Sequence, residues 1–185
     1  WGRNHEKSSS RRHPLSASAL GAVAVRQPSG EQENPTAAAT ASSALSTFVT
    51  DPHQLKAITS AVDNCLTMCD ARARCVGVSA IPTNDAGSVT GMIGVHGDVS
   101  GFITVNLAEK VALAFVGGLL QDSFDHLDHQ VIDGVGEITN LIAGGIKNNL
   151  VGTPWGFSHV TVPSVIVGRN YQIAYAKGLQ YLCAT

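Results

Sequence analysis

Asp133-Gly-Val-Gly-Glu137-Ile-Thr-Asn140-Leu-Ile-Ala-Gly-Gly-Ile-Lys147-Asn-Asn-Leu150 is the stretch from which the fold can be read. Val131, Val135, Ile138, Ile142 and Ile146 recur at helical spacing and make one apolar stripe. At about 100° per residue, Asp133, Glu137, Asn140, Gly144 and Lys147 fall on the opposite side. The spacing therefore predicts a long amphipathic helix, from about Asp128 to Leu150. Its polar face carries a carboxylate and a carboxamide three residues apart, on neighbouring turns. Glycines at 134, 136, 144 and 145 each cost roughly 1 kcal/mol relative to alanine in a helix interior. Helix that accepts four of them points to close access to its backbone or polar face, which marks it as a place to look for function.

Working outward, Thr50 or Asp51 caps an earlier helix with Pro52 in its first turn. Leu55, Ile58, Val62, Cys65, Leu66 and Cys69 form its buried stripe. Cys75–Ile81 and Val89–Val95 read as strands around the turn-forming Pro82–Gly87. Gly97-Asp98 is a tight turn, and Val99–Leu107 alternates as a half-buried strand. These three strands are expected to form an antiparallel meander. Asn106 is a candidate cap for a second helix, Ala108–Leu120, apolar almost all round and so well buried. After the long helix, His159–Gly168 is strand-like. Tyr171, Ile173 and Tyr175 alternate before a Lys177-Gly178 hairpin turn, and Leu179, Tyr181 and Cys183 begin a last strand in which the chain stops.

The whole reads as α+β: a two-layer sandwich with a mainly antiparallel sheet of about six strands and helices packed on one face. Residues 1–47 are rich in Ser, Ala, Arg, Gln and Pro without a sustained period, and read as a disordered tail or linker ahead of one domain, 48–185. The chain begins at Trp1 and reads as a fragment or processed product. Charged residues are 14% of the 185 and net charge is -2, which offers no electrostatic surface for nucleic acid. No apolar run reaches the ~18 residues of a membrane span. The four cysteines, Cys65, Cys69, Cys75 and Cys183, lack zinc-type pairing and read as buried thiols of a reducing, cytoplasmic compartment.

Asp133-x3-Glu137-x2-Asn140, followed by Pro163 after 22 residues, resembles the signature of the CheC/CheX/FliY chemotaxis phosphatases. The single Glu-x2-Asn is closest to the CheX type. The resemblance covers about residues 50–185 and implies a CheC-like fold. It also implies hydrolysis of the aspartyl phosphate on a phosphorylated, CheY-like receiver domain. Asn140 would orient the attacking water and Glu137 would meet a lysine of the regulator. Asp133 and Lys147 would add partner contacts, while Pro163 shapes the chain beside the site. Gly136, Ala143 and Gly144 would keep the helix surface low. The chain itself needs no cofactor or metal, Mg²⁺ residing in the partner regulator. CheX relatives form homodimers through their sheets, and a homodimer is expected.

Two other function classes stand beside this one. A non-catalytic module of the same type would bind a receiver domain or flagellar-switch partner without turnover. A metal-dependent hydrolase would use His126, His129, Asp133 and Glu137, of which the last three are spaced by four on one helix stripe. No HExxH supports the latter, and His126 and His129 are expected to lie exposed near the helix start. His96 and His159 read as ordinary sheet residues.

Overall fold

The computed structural model describes residues 51–80, 88–168, 171 and 181–185. The tail 1–47, Thr50 and the expected Lys177-Gly178 hairpin lie outside the described residues. Asp51 is the cap of α1 (Pro52–Met68), its side chain accepting from the backbone N–H of His53 at 2.8 Å. The same carboxylate accepts from the indole N–H of Trp155 at 2.7 Å, tying the helix start to a turn 104 residues away. Ile58, Ala61, Val62, Cys65 and Leu66 form the buried stripe. The chain continues through β1 (Val78–Ser79), β2 (Val89–His96), β3 (Gly101–Leu107), α2 (Glu109–Leu120), α3 (His129–Asn149), β4 (His159–Val160), β5 (Ser164–Val167) and β6 (Cys183–Ala184).

Strand β2 is the centre of the larger sheet. It pairs antiparallel with β3 along its length, Val89 opposite Leu107 and Val95 opposite Gly101. Its other edge pairs with β4 and β5. Val89, Ile93 and Val95 of β2 and Ile103, Val105 and Leu107 of β3 face the helices and are buried. All five apolar-stripe residues of α3 join them in one core. The architecture is α+β with antiparallel strands, α3 lying between the sheet and the other two helices.

Three sequence expectations change. Cys75–Ile81 is not the first strand of a meander. Among its described residues only Val78–Ser79 is a strand, and it pairs with Cys183–Ala184, far along the chain. The reason is that both edges of β2 are taken, one by β3 and one by β4 and β5. Asn106 does not cap α2: it stays in β3, and its Oδ1 accepts from the Thr90 hydroxyl at 2.6 Å. The N-cap is Ala108, which provides no side-chain cap bond. Cys75, expected to be buried with the other thiols, is exposed, whereas Cys65, Cys69 and Cys183 are buried.

The strand expected at His159–Gly168 is interrupted. Val160 pairs with Val95 and Ser164 with Met92, so three residues on one side oppose two on the other. This is a β-bulge with one extra residue. Thr161 closes it in two ways: its N–H donates to the Gly94 carbonyl, and its hydroxyl accepts from the Gly94 N–H, both at 2.9 Å. Pro163 sits at the end of the bulge, where a missing backbone donor is least costly.

Candidate functional site

Helix α3 starts at Asp128, whose side chain accepts from the Val131 N–H at 2.8 Å, and ends at Leu150. Its apolar stripe is fully buried, with Val131, Val135 and Ile138 at 0% exposure. The opposite face is as the sequence reading placed it: Asp133, Glu137 and Asn140 are exposed, and Gly144 and Lys147 are half-buried. Among the described residues, Glu137 and Asn140 have no hydrogen-bond or ion-pair partner. With a rise of about 1.5 Å per residue, Lys147 lies roughly 10 Å along the axis beyond Asn140, and Asp133 roughly 6 Å before Glu137. Glu137 and Asn140 thus form the compact centre of the face, with Asp133 and Lys147 at its ends.

The four glycines divide by what surrounds them. A Cβ at Gly134 would stand 2.5 Å from a methyl of Val116 on α2, and one at Gly145 would stand 2.8 Å from Cβ of Ala61 on α1. These two let neighbouring helices approach and say nothing about the polar face. Ala143, expected to lower that face, is wholly buried in the core instead. Gly144 does open it: a Cβ there would meet nothing within 4 Å. Gly136 is where the bulge arrives. A Cβ on it would lie 3.8 Å from Cγ of Pro163 and 3.6 Å from Val165. Pro163, distant in sequence, therefore packs on the helix one residue from Glu137.

The seat of α3 on the sheet is a feature the sequence reading missed. Gly91 of β2 lies under Thr139 so closely that a Cβ would fall 1.8 Å from its Oγ1 and 3.0 Å from its Cβ. The Thr139 hydroxyl donates to the Val135 carbonyl at 2.8 Å, satisfied within its own helix. An isolated glycine in a strand pattern was the available signal. Beneath the site, Cys65 of α1 directs its thiol at the Ile138 carbonyl, 3.9 Å away. Its hydrogen-bonded neighbour Cys69, burial and the charge of Glu137 all push the Cys65 pKa up, so it stays a protonated thiol.

Among the described residues, no three His, Cys, Asp or Glu side chains converge as a metal-binding group. His129 is exposed at the helix start. His126 turns to Asp125, 2.5 Å away, which raises the His126 pKa and lowers that of Asp125. His96 and His159 are directly opposite each other across β2 and β4. Chemically, the α3 face offers no nucleophile–base pair. It offers a carboxamide able both to donate and to accept, beside a carboxylate, on ground low enough for a partner's surface to reach both.

Residues 89–185, just over half of the chain, match the model of the family described as chemotaxis phosphatase CheX. This chain belongs to the CheX family. The match takes in α3, the bulge and Pro163, while α1 precedes it. Solved structures extend the likeness over a larger share of the chain. A CheC-like superfamily protein from Shewanella sp. PV-4 is 25% identical, with a TM-score of 0.61 over 74% of this chain and 99% of that one. The chemotaxis protein CheX from Vibrio vulnificus is 23% identical, with a TM-score of 0.62 over 71% of this chain and 99% of that one. CheX in a complex with CheY, BeF3 and Mg²⁺ from Borrelia burgdorferi is 20% identical, with a TM-score of 0.53 over 71% and 92%. The last two are likenesses of fold. No curated protein matches the chain. No helix among the described residues of this CheX-family protein is long and apolar enough to cross a membrane.

Proposed function

We propose that this chain is a phosphatase that hydrolyses the aspartyl phosphate of a CheY-like response regulator. The observation that carries the reading is the pair Glu137 and Asn140, adjacent, exposed and unpartnered among the described residues on a face opened by Gly144 and flanked by Pro163. Membership in the CheX family supports it, as does the structure of a relative in complex with CheY.

In this reading Asn140 enters the regulator's phosphate pocket and holds a water in line with the phosphorus. The water oxygen bonds to phosphorus, the bond from phosphorus to the aspartate oxygen breaks, and inorganic phosphate and a free carboxylate result. Phosphoryl transfer asks the protein mainly for positioning and charge balance, which a carboxamide can provide without acting as a base. Glu137 pairs with a lysine of the regulator, and the pair strengthens as docking excludes water. Asp133 and Lys147 contact the partner further along the helix. Mg²⁺ belongs to the regulator's acidic site, and this chain contributes no ligand to it. A homodimer formed through the sheets completes the reading.

Phosphate release from phosphorylated receiver domains, wild type beside Asn140→Ala, is the test. Asn140→Ala is expected to lose about 10²-fold or more of the stimulated rate, and Glu137→Gln to weaken regulator binding. An Asn140→Ala protein as fast as wild type removes the mechanism. Binding of the phosphorylated regulator without any shortening of its phosphate lifetime removes the enzyme and leaves a binding module.

A further inference from the structure

Helix α1 has a second face in use. It meets α3 through Ala61, near Gly145, and through Cys65, near Ile138. Ile58 and Leu66 of α1 join Val111 and Phe115 of α2 around a cavity of about 290 Å³ to which α3 contributes no wall. These four side chains are all at least nine-tenths buried, so the floor of the cavity is core, while exposed residues of 73–76 and Asp63 form its rim. Its volume is near the lower end of small-molecule sites, about 300–1,000 Å³. It is roughly twice that of an engineered apolar cavity of about 150 Å³ that takes up benzene.

The mouth is polar and specific. The segment 72–76 crosses it, held by the Val76 N–H donating to the Thr185 carbonyl at 2.6 Å. Arg74 and the exposed thiol of Cys75 come from that segment and Asp63 from α1, all lining the same cavity. Among the described residues neither the Arg74 nor the Asp63 side chain has an ion-pair or hydrogen-bond partner. An arginine is charged at every accessible pH, and its planar fork matches a carboxylate. Asp63 repels the same group and so confines it to the Arg74 side.

We propose that this cavity binds a small amphipathic carboxylate, with its hydrocarbon chain among Ile58, Leu66, Val111 and Phe115 and its carboxylate on Arg74. The occupant is a free small molecule of this class. Each methylene it buries strengthens binding roughly fourfold until the cavity is full.

The site is tested on the full chain by calorimetry with straight-chain carboxylates of increasing length, from butyrate to decanoate, below their micelle thresholds. Affinity is expected to climb with length and then level off. The alcohol of matching length is expected to bind more weakly. Arg74→Ala should weaken binding by about tenfold or more, and Asp63→Asn should tighten it. Both positions are exposed, so the variants are expected to fold. A measurement without variants runs beside these: saturating decanoate should slow alkylation of Cys75, the exposed thiol. Absence of binding, equal binding of alcohol and carboxylate with Arg74→Ala unchanged, or unaltered Cys75 alkylation at saturation each overturns the proposal. None of these readouts involves Glu137 or Asn140, so the site stands or falls independently of the phosphatase reading.

Discussion

Replacing Gly91 by alanine sets a close helix-to-sheet contact against the position of the proposed site. The added Cβ would lie 1.8 Å from Oγ1 of Thr139, 3.0 Å from its Cβ and 3.3 Å from its Cγ2. Relief requires either that Thr139 rotate off its 2.8 Å bond to the Val135 carbonyl or that α3 rise from β2. Thr139 is wholly buried, so rotation has little room. Overpacking of this kind costs about 1–3 kcal/mol, partly offset by the ~0.4–1 kcal/mol that alanine saves in unfolded-chain entropy. The expected net loss of about 1–2 kcal/mol lowers Tm by roughly 2–10 °C for a domain of this size. Urea and thermal unfolding of Gly91→Ala, Thr139→Ala and the double variant measure it. Thr139→Ala deletes Oγ1 and Cγ2 and leaves a single tight contact, so the double variant should be more stable than the two single losses add up to. Because Thr139 precedes Asn140, Gly91→Ala should also depress regulator dephosphorylation. A Gly91→Ala protein as stable as wild type, or strict additivity in the cycle, would refute the seating argument.

Other expectations are smaller in scope. Gly144→Ala places its methyl in open space and should stabilise α3 by up to about 1 kcal/mol in denaturant unfolding. If the low surface there serves docking, the same variant binds the regulator less tightly, and unchanged binding would strip Gly144 of that role. The indole N–H of Trp155, followed by the His53 backbone N–H, holds the Asp51 carboxyl below its usual range. A depressed carboxyl lends stability that is present above the unfolded value of about 3.9 and is lost as pH falls through the folded value. Trp155→Phe should therefore flatten the acid limb of a stability–pH curve, and an identical limb in both proteins would count against the Asp51–Trp155 bond.

How much could be read beforehand depended on how local the cause was. The bounds of α1 and α3 follow from caps and period within each helix, Asp51 with Pro52 and Asp128 with the Val131–Ile146 stripe. The β2–β3 hairpin follows from alternation on both sides of Gly97-Asp98. The partner of Val78–Ser79 could not follow in this way. It lies at Cys183–Ala184, and nothing in either segment names the other. The polar face of α3 was legible because exposed positions on a helix obey geometry alone. The meaning of its glycines was not, because Gly134 and Gly145 answer to Val116 and Ala61 on other helices. Asn106 is the same lesson in miniature: a good capping residue stays in its strand, where Thr90 donates to it.

The bulge at Thr161 has a consequence for how this chain can change length. Side chains in a strand alternate faces, so one residue more or fewer turns every later residue over. Deleting Val162, 85% exposed, would restore an unbroken ladder with Pro163 directly opposite Ile93. The turn at Val151–Gly156 lies before β4 and carries exposed Val151 and Gly152; added residues there would be absorbed before pairing begins. The separation of Asn140 from Pro163 is thus elastic only in the turn after α3 and rigid in its last three residues. Insertions scanned across 150–163 should be tolerated around exposed Val151 and Gly152 and damaging from Gly156 onward, where the Gly156 carbonyl accepts from Val99 and the Ser158 N–H donates to His96.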